Sequence, residues 1–125
     1  MAGDDGDLHF HRARNRAVLA EGRRLENDGD ARSICDALQA PQPGEITFAI
    51  NRRLLAGGLA VSDDEVRDAM RVAFADYKLV IEPGGAAALA AVLSGKLDVS
   101  GKAVAVVASG GNVDAGTFAE ALRAA

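Results

Sequence analysis

A chain of 125 residues with a net charge of −4 is one domain or part of one, and that charge argues against a nucleic-acid partner. Hydrophobic residues make up 49% and charged residues 26%, a globular balance, and no run is long enough to span a bilayer, so no membrane partner is expected. A single cysteine excludes an internal disulfide framework and suits a reducing compartment, and the acidic start is unlike a signal peptide, so a cytoplasmic chain is expected.

Residues 1–9 carry Asp4, Asp5 and Asp7 and are expected to be a disordered acidic terminus, with the folded domain running over 10–125. His9 and His11 flank Phe10, and Arg12, Arg14, Arg16, Arg23 and Arg24 follow. With one aromatic to stack on a base, this stretch reads as a solvated helix face before a nucleic-acid patch. The two histidines would diverge on a helix and have no neighbouring cysteine, so no metal site is expected there.

Asn27-Asp28-Gly29-Asp30 predicts a turn. Ser33 is placed to cap a short helix over 34–39, which Pro41 and Pro43 stop, with Cys35 inside it as a buried structural thiol. A further helix is expected over 44–55, and Gly57-Gly58 should then turn the chain into a short strand over 59–61. Ser62 and Glu65 have the spacing of a capping box, with Asp63 and Asp64 favouring the positive end of the helix dipole. Capping accounts for all three acids without a bound cation. Val66, Ala69, Met70, Ala73, Phe74 and Tyr77 follow at spacings of three and four, which predicts one apolar helix face.

Leu79-Val80-Ile81 leads into Glu82-Pro83-Gly84-Gly85, and residues 86–93 are almost all alanine, leucine and valine. A helix with so little polar surface must be buried, and Gly95 can close it. Glu82 stands at its start, where favouring the helix N-terminus and taking part in chemistry are both open. Ser94-Gly95-Lys96 and Ser100-Gly101-Lys102 lack the spacing of a P-loop. The small apolar run 103–108 predicts a strand buried on both faces, as in a parallel sheet. It stops at Ser109-Gly110-Gly111-Asn112, before a helical pattern with Phe118 and Leu122 four apart. Strand, glycine loop and helix in that order put backbone N–H groups and a hydroxyl at the carboxyl end of a sheet, where open α/β folds bind ligands.

Ala31-Arg32-Ser33-Ile34-Cys35-Asp36-Ala37-Leu38, Pro43-Gly44-Glu45-Ile46-Thr47-Phe48, the helix start at Val61–Val66, Lys78-Leu79-Val80-Ile81-Glu82-Pro83-Gly84-Gly85-Ala86 and Ala108-Ser109-Gly110-Gly111-Asn112-Val113-Asp114 occur in this order. Together they resemble the carboxyl-terminal portion of the pyridoxal-phosphate-dependent threonine/serine dehydratases, whose relatives include serine racemase and hydroxyaspartate dehydratase. The resemblance runs from Ala31 to the end. It implies an α/β, fold-type II (tryptophan-synthase-β-like) architecture, here a partial parallel sheet flanked by helices, in a cytosolic and usually dimeric enzyme. It further implies pyridoxal 5'-phosphate as cofactor and a small hydroxy amino acid as substrate, from which water is eliminated to give a 2-oxo acid and ammonia.

By the same resemblance Ser109 hydrogen-bonds the pyridine nitrogen, and as a neutral hydroxyl it leaves the ring a milder electron sink, suited to β-elimination. Gly110, Gly111 and Asn112 shape the loop under the ring, and Glu82 lies near the cofactor. The family often has serine where this chain has Gly84. The family's Schiff-base lysine, in a Ser-x-Lys-x-Arg-Gly context, and its glycine-rich phosphate loop have no counterpart here, since Lys78, Lys96 and Lys102 lack that context. No catalytic residue and no metal ligand is therefore carried over. The chain alone is expected to be an inactive segment that associates with itself through an exposed sheet edge. A non-catalytic α/β remnant acting through protein association is the alternative, and a small-molecule binder using residues 109–112 is a third reading.

Overall fold

The computed structural model describes residues 22–26 and 32–123, together with the backbone of residues 7–10. The basic residues from His11 to Arg16 and the expected turn at 27–30 lie outside the described residues.

Strand β1, Asp7–Phe10, pairs in parallel with β2, Leu55–Leu59, in the register Leu8 to Gly57, His9 to Gly58 and Phe10 to Leu59, with an irregularity after Asp7. β1 therefore begins inside the stretch expected to lack structure, and residues 1–6 lie outside the described ones. Gly57-Gly58 does not turn the chain into a strand at 59–61. Both glycines lie within β2, where ladder pairing overrides their turn preference.

Helix α1, Glu45–Leu54, falls within the expected span and buries Phe48. Arg24 fixes its approach: Nε donates to Pro43 O, and the two terminal nitrogens donate to Gln42 Oε1 and Glu45 Oε1, all at 2.8 Å. The helix expected over 34–39 is only a 3-10 turn, Asp36–Leu38. Ser33 does not cap an α-helix there. Its hydroxyl donates to Asp63 Oδ1 (2.5 Å) and accepts from the Cys35 N–H (3.1 Å), while Ile34 N–H donates to Asp63 Oδ2 (3.2 Å). These contacts tie the segment to the next helix start, and the prolines leave no room for further turns. Cys35 is buried, as expected.

Helix α2, Asp63–Tyr77, opens with the predicted capping box: Glu65 N–H donates to Ser62 Oγ (3.2 Å) and Ser62 N–H to Glu65 Oε2 (2.6 Å). It buries Val66, Ala69, Met70 and Ala73. Phe74 and Tyr77, expected on the same face, are exposed, because the partner helix does not cover the last turn of α2. Phe74 instead meets Phe118 edge to face, with centroids 5.4 Å apart. Helix α3, Pro83–Leu93, starts with proline at a first-turn position and buries Gly85, Ala86, Ala87, Ala90 and Ala91. Its alanines let it lie close on α2, with Ile81 and Ala121 completing the core around Met70. Helix α4, Ala115–Arg123, crosses α2, and Arg71 donates to Ala121 O (2.9 Å) near its end.

The run 103–108 is not a buried strand: among the described residues it pairs with no strand, and Val104 and Val107 are exposed. A parallel strand buried on both faces needs a neighbour at each edge and cover on each side. Here only Val106 of the run is partly buried.

Candidate functional site

Two segments meet at the start of α3. The chain arriving from Lys78 through Ile81 ends at Glu82, and the loop Ser109-Gly110-Gly111-Asn112 lies across it. Glu82 N–H donates to Gly110 O at 2.9 Å. A Cβ on Gly111 would stand 3.1 Å from Val80 O, so the two backbones run in close contact. Gly110 takes a left-handed conformation (φ 74°), and a Cβ there would fall 2.3 to 2.6 Å from the carboxyl carbon and both oxygens of Glu82. The left-handed backbone favours glycine at 110, and a side chain there would have to displace the Glu82 carboxylate.

Glu82 occupies the N-cap position of α3 but makes no side-chain cap hydrogen bond. Simple capping is therefore not its role, and its half-buried carboxylate is directed at Gly110 instead. Ser109 and Asn112 are exposed, and among the described residues no protein partner takes the Ser109 hydroxyl. Beyond the loop, Asp114 Oδ1 accepts the Thr117 N–H (2.9 Å) and starts α4. Hydrogen bonds from Thr117 hold the Asp114 carboxyl below the usual carboxylate range.

Of the five residues singled out from the sequence, Glu82, Ser109 and Gly110 meet at the first turn of α3, Gly111 lies against Val80 just before it, and Asn112 follows on the exposed loop. Sequence reasoning missed Gly85 as a member of this cluster. A Cβ at 85 would lie 1.6 Å from Ser109 O, so the helix start and the loop touch backbone to backbone. The signal was present, since two adjacent glycines in a first helical turn cost helix stability and call for a packing reason. Across the same turn, Gly84 faces Leu38 and Ala37 of the 3-10 segment, which forms the other wall.

The exposed Ser109 hydroxyl, without a protein partner among the described residues, has the chemistry to pair with a heteroaromatic ring nitrogen. The described lysines point elsewhere. Lys78 Nζ donates to Ala75 O (2.5 Å), and Lys96 Nζ to Glu65 Oε2 (2.6 Å) and Ala60 O (2.8 Å). Lys102 lies near Asp98. Among the described residues no group of three or more His, Cys, Asp or Glu is gathered to hold a metal ion. No helix among them is long and apolar enough to cross a membrane.

Residues 10–110 match the family described as pyridoxal-phosphate dependent enzyme. The chain is 43% identical over 95 residues to phenylserine dehydratase of Ralstonia pickettii, covering 75% of this chain and 29% of that protein. It is 39% identical over 98 residues to L-threonine ammonia-lyase of Thermotoga maritima, covering 78% of this chain and 24% of that one. The crystal structure of a T.th. threonine deaminase superposes with a TM-score of 0.78 at 34% identity, over 86% of this chain and 37% of that one. The chain therefore spans only about a quarter to a third of the curated relatives' length. Its α/β fold is that of the fold-type II enzymes, and the chain belongs to the pyridoxal-phosphate dependent enzyme family.

Proposed function

We propose that residues 10–125 form the carboxyl-terminal segment of a dehydratase acting on a small hydroxy amino acid such as threonine, serine, phenylserine or hydroxyaspartate. Ser109 is the partner of the cofactor's ring nitrogen, Gly110, Gly111 and Asn112 form the floor beneath the ring, and Glu82 borders them. When bound, pyridoxal phosphate supplies the electron sink that lets the α-proton and the β-hydroxyl leave. This chain's own contribution is orientation: a neutral hydroxyl fixes the ring edge without supplying a charge to hold a protonated nitrogen.

The observation that carries this reading is the exposed Ser109 hydroxyl, which has no protein partner among the described residues, on a loop that lies backbone to backbone against Gly85. With Lys78 and Lys96 engaged in other contacts, the segment has no lysine aimed at the loop and is inactive by itself. A second reading, a non-catalytic module working through association, is favoured by the exposed Ile46, Ile50, Val104 and Val107.

The test is a titration of the labelled chain with pyridoxal phosphate, followed by amide chemical shifts. Shifts concentrated at residues 109–112 and at Glu82, and reduced in Ser109→Ala, are expected. Shifts absent there, or unchanged by the substitution, would sink the assignment.

A further inference from the structure

Glu82 has three properties that do not belong together in a simple helix cap. It holds the N-cap position of α3 without a side-chain cap bond, its N–H donates to Gly110 O (2.9 Å), and its carboxylate fills the place a side chain at 110 would take. No salt bridge neutralises that carboxylate among the described residues. One residue thus meets Gly110 at two points, its N–H at the Gly110 carbonyl and its carboxylate in the space beside the Gly110 α-carbon. On the far side, the Ser109 carbonyl rests on Gly85.

We infer that Glu82 is the positioning residue for Ser109: it locks the left-handed turn at Gly110 and so sets the direction in which the Ser109 hydroxyl is presented. Among the described residues the run 103–108 before this loop has no strand partner, so the loop is held by its contacts with Glu82, Gly85 and Val80. Its preceding run is exposed, and Gly110-Gly111 by themselves leave the backbone free to adopt many conformations. Preorganisation of a binding group by a neighbour whose own place is fixed by a helix start is the general requirement for an oriented contact. The consequence for function rests on the reading of Ser109 given above, whereas the restraint is a property of the chain alone.

The experiment compares the full chain with Glu82→Gln and Glu82→Ala, without cofactor. It records backbone order parameters for residues 109–112 and exchange protection of the residue-82 amide, which reports the bond to Gly110 O directly. Glu82→Ala is expected to lower the order of the loop and cut that protection about tenfold, with α2 amides unchanged. Glu82→Gln, which keeps the shape, is expected to restore most of both. Loop order and amide protection unchanged in Glu82→Ala would overturn the inference, and so would a loss spread evenly over α2 and α3. A parallel titration with pyridoxal phosphate separates the two proposals. If the unsubstituted chain shows no contact at Ser109 while the loop still loosens in Glu82→Ala, the cofactor reading falls and the positioning role stands.

Discussion

A methyl group on Gly85 would lie 1.6 Å from the carbonyl oxygen of Ser109, whereas one on its neighbour Gly84 would meet Leu38 Cγ at 3.4 Å. Adjacent glycines in one helical turn therefore have opposite needs. Gly85→Ala must push the loop off α3 and is expected to cost about 3 kcal/mol, as overpacking of a closed contact does. Gly84→Ala finds ordinary contact at a helical position and is expected to stabilise by about 0.7 kcal/mol, through the lost freedom of the unfolded chain. Urea denaturation of the two variants checks both signs.

Gly110→Ala meets two penalties, a left-handed backbone and the Glu82 carboxylate. The first is about 1–2 kcal/mol and stays whatever stands at 82. The second disappears when Glu82 is shortened. The double variant Gly110→Ala/Glu82→Ala should accordingly be less unstable than the sum of the single changes, a coupling readable from a double-mutant cycle. Strict additivity would mean that the two groups do not touch.

The start of α2 carries a pH signature. The hydrogen bond from Lys96 and those from Ser62 hold the Glu65 carboxyl below its usual range. A carboxylate depressed in the folded state contributes stability above its unfolded value, and that contribution is lost as pH falls through the lower folded value. Lys96→Met should therefore destabilise at neutral pH, by about 0.5 kcal/mol for so exposed a pair, and the difference from the parent should shrink in acid to what the Lys96 bond to Ala60 O contributes. Ser62→Ala should cost about 1 kcal/mol through the lost cap. Denaturation midpoints at neutral and acid pH measure both.

Met70 is fully buried between α2 and α3. Met70→Ala leaves a cavity that small alanine neighbours cannot fill, and a loss of about 3 kcal/mol is expected in the same denaturation assay.

What the sequence made legible was local. The box at Ser62 and Glu65, the spacing of Val66, Ala69, Met70 and Ala73, and the apolar helix from Pro83 to Leu93 depend on neighbours three and four residues away, and all appear in the fold. The glycines after the apolar run mark a loop at Ser109, as read, but the sheet strand expected to carry it is not formed among the described residues. Contacts set by tertiary partners were not legible. Gly57-Gly58 looks like a turn until β1 pairs with it, and Ser33 looks like a cap until Asp63 accepts its hydrogen bond. The run 103–108 has the composition of a central strand but no strand beside it among the described residues. The paired glycines at 84 and 85 called for a packing reason, but the partner that supplies it for Gly85 lies 24 positions along the chain, beyond the reach of a local pattern.

The proposal that this segment lacks a usable lysine is open to direct measurement. The chain is combined with pyridoxal phosphate and threonine or serine, 2-oxo acid is followed, and the mixture is then reduced with borohydride so that mass spectrometry can locate any pyridoxyl group. No 2-oxo acid and no stoichiometric label on Lys78, Lys96 or Lys102 are expected. Steady release of 2-oxo acid, with one of those lysines labelled in full, would show that the segment carries its own catalytic lysine and is no incomplete part of a dehydratase.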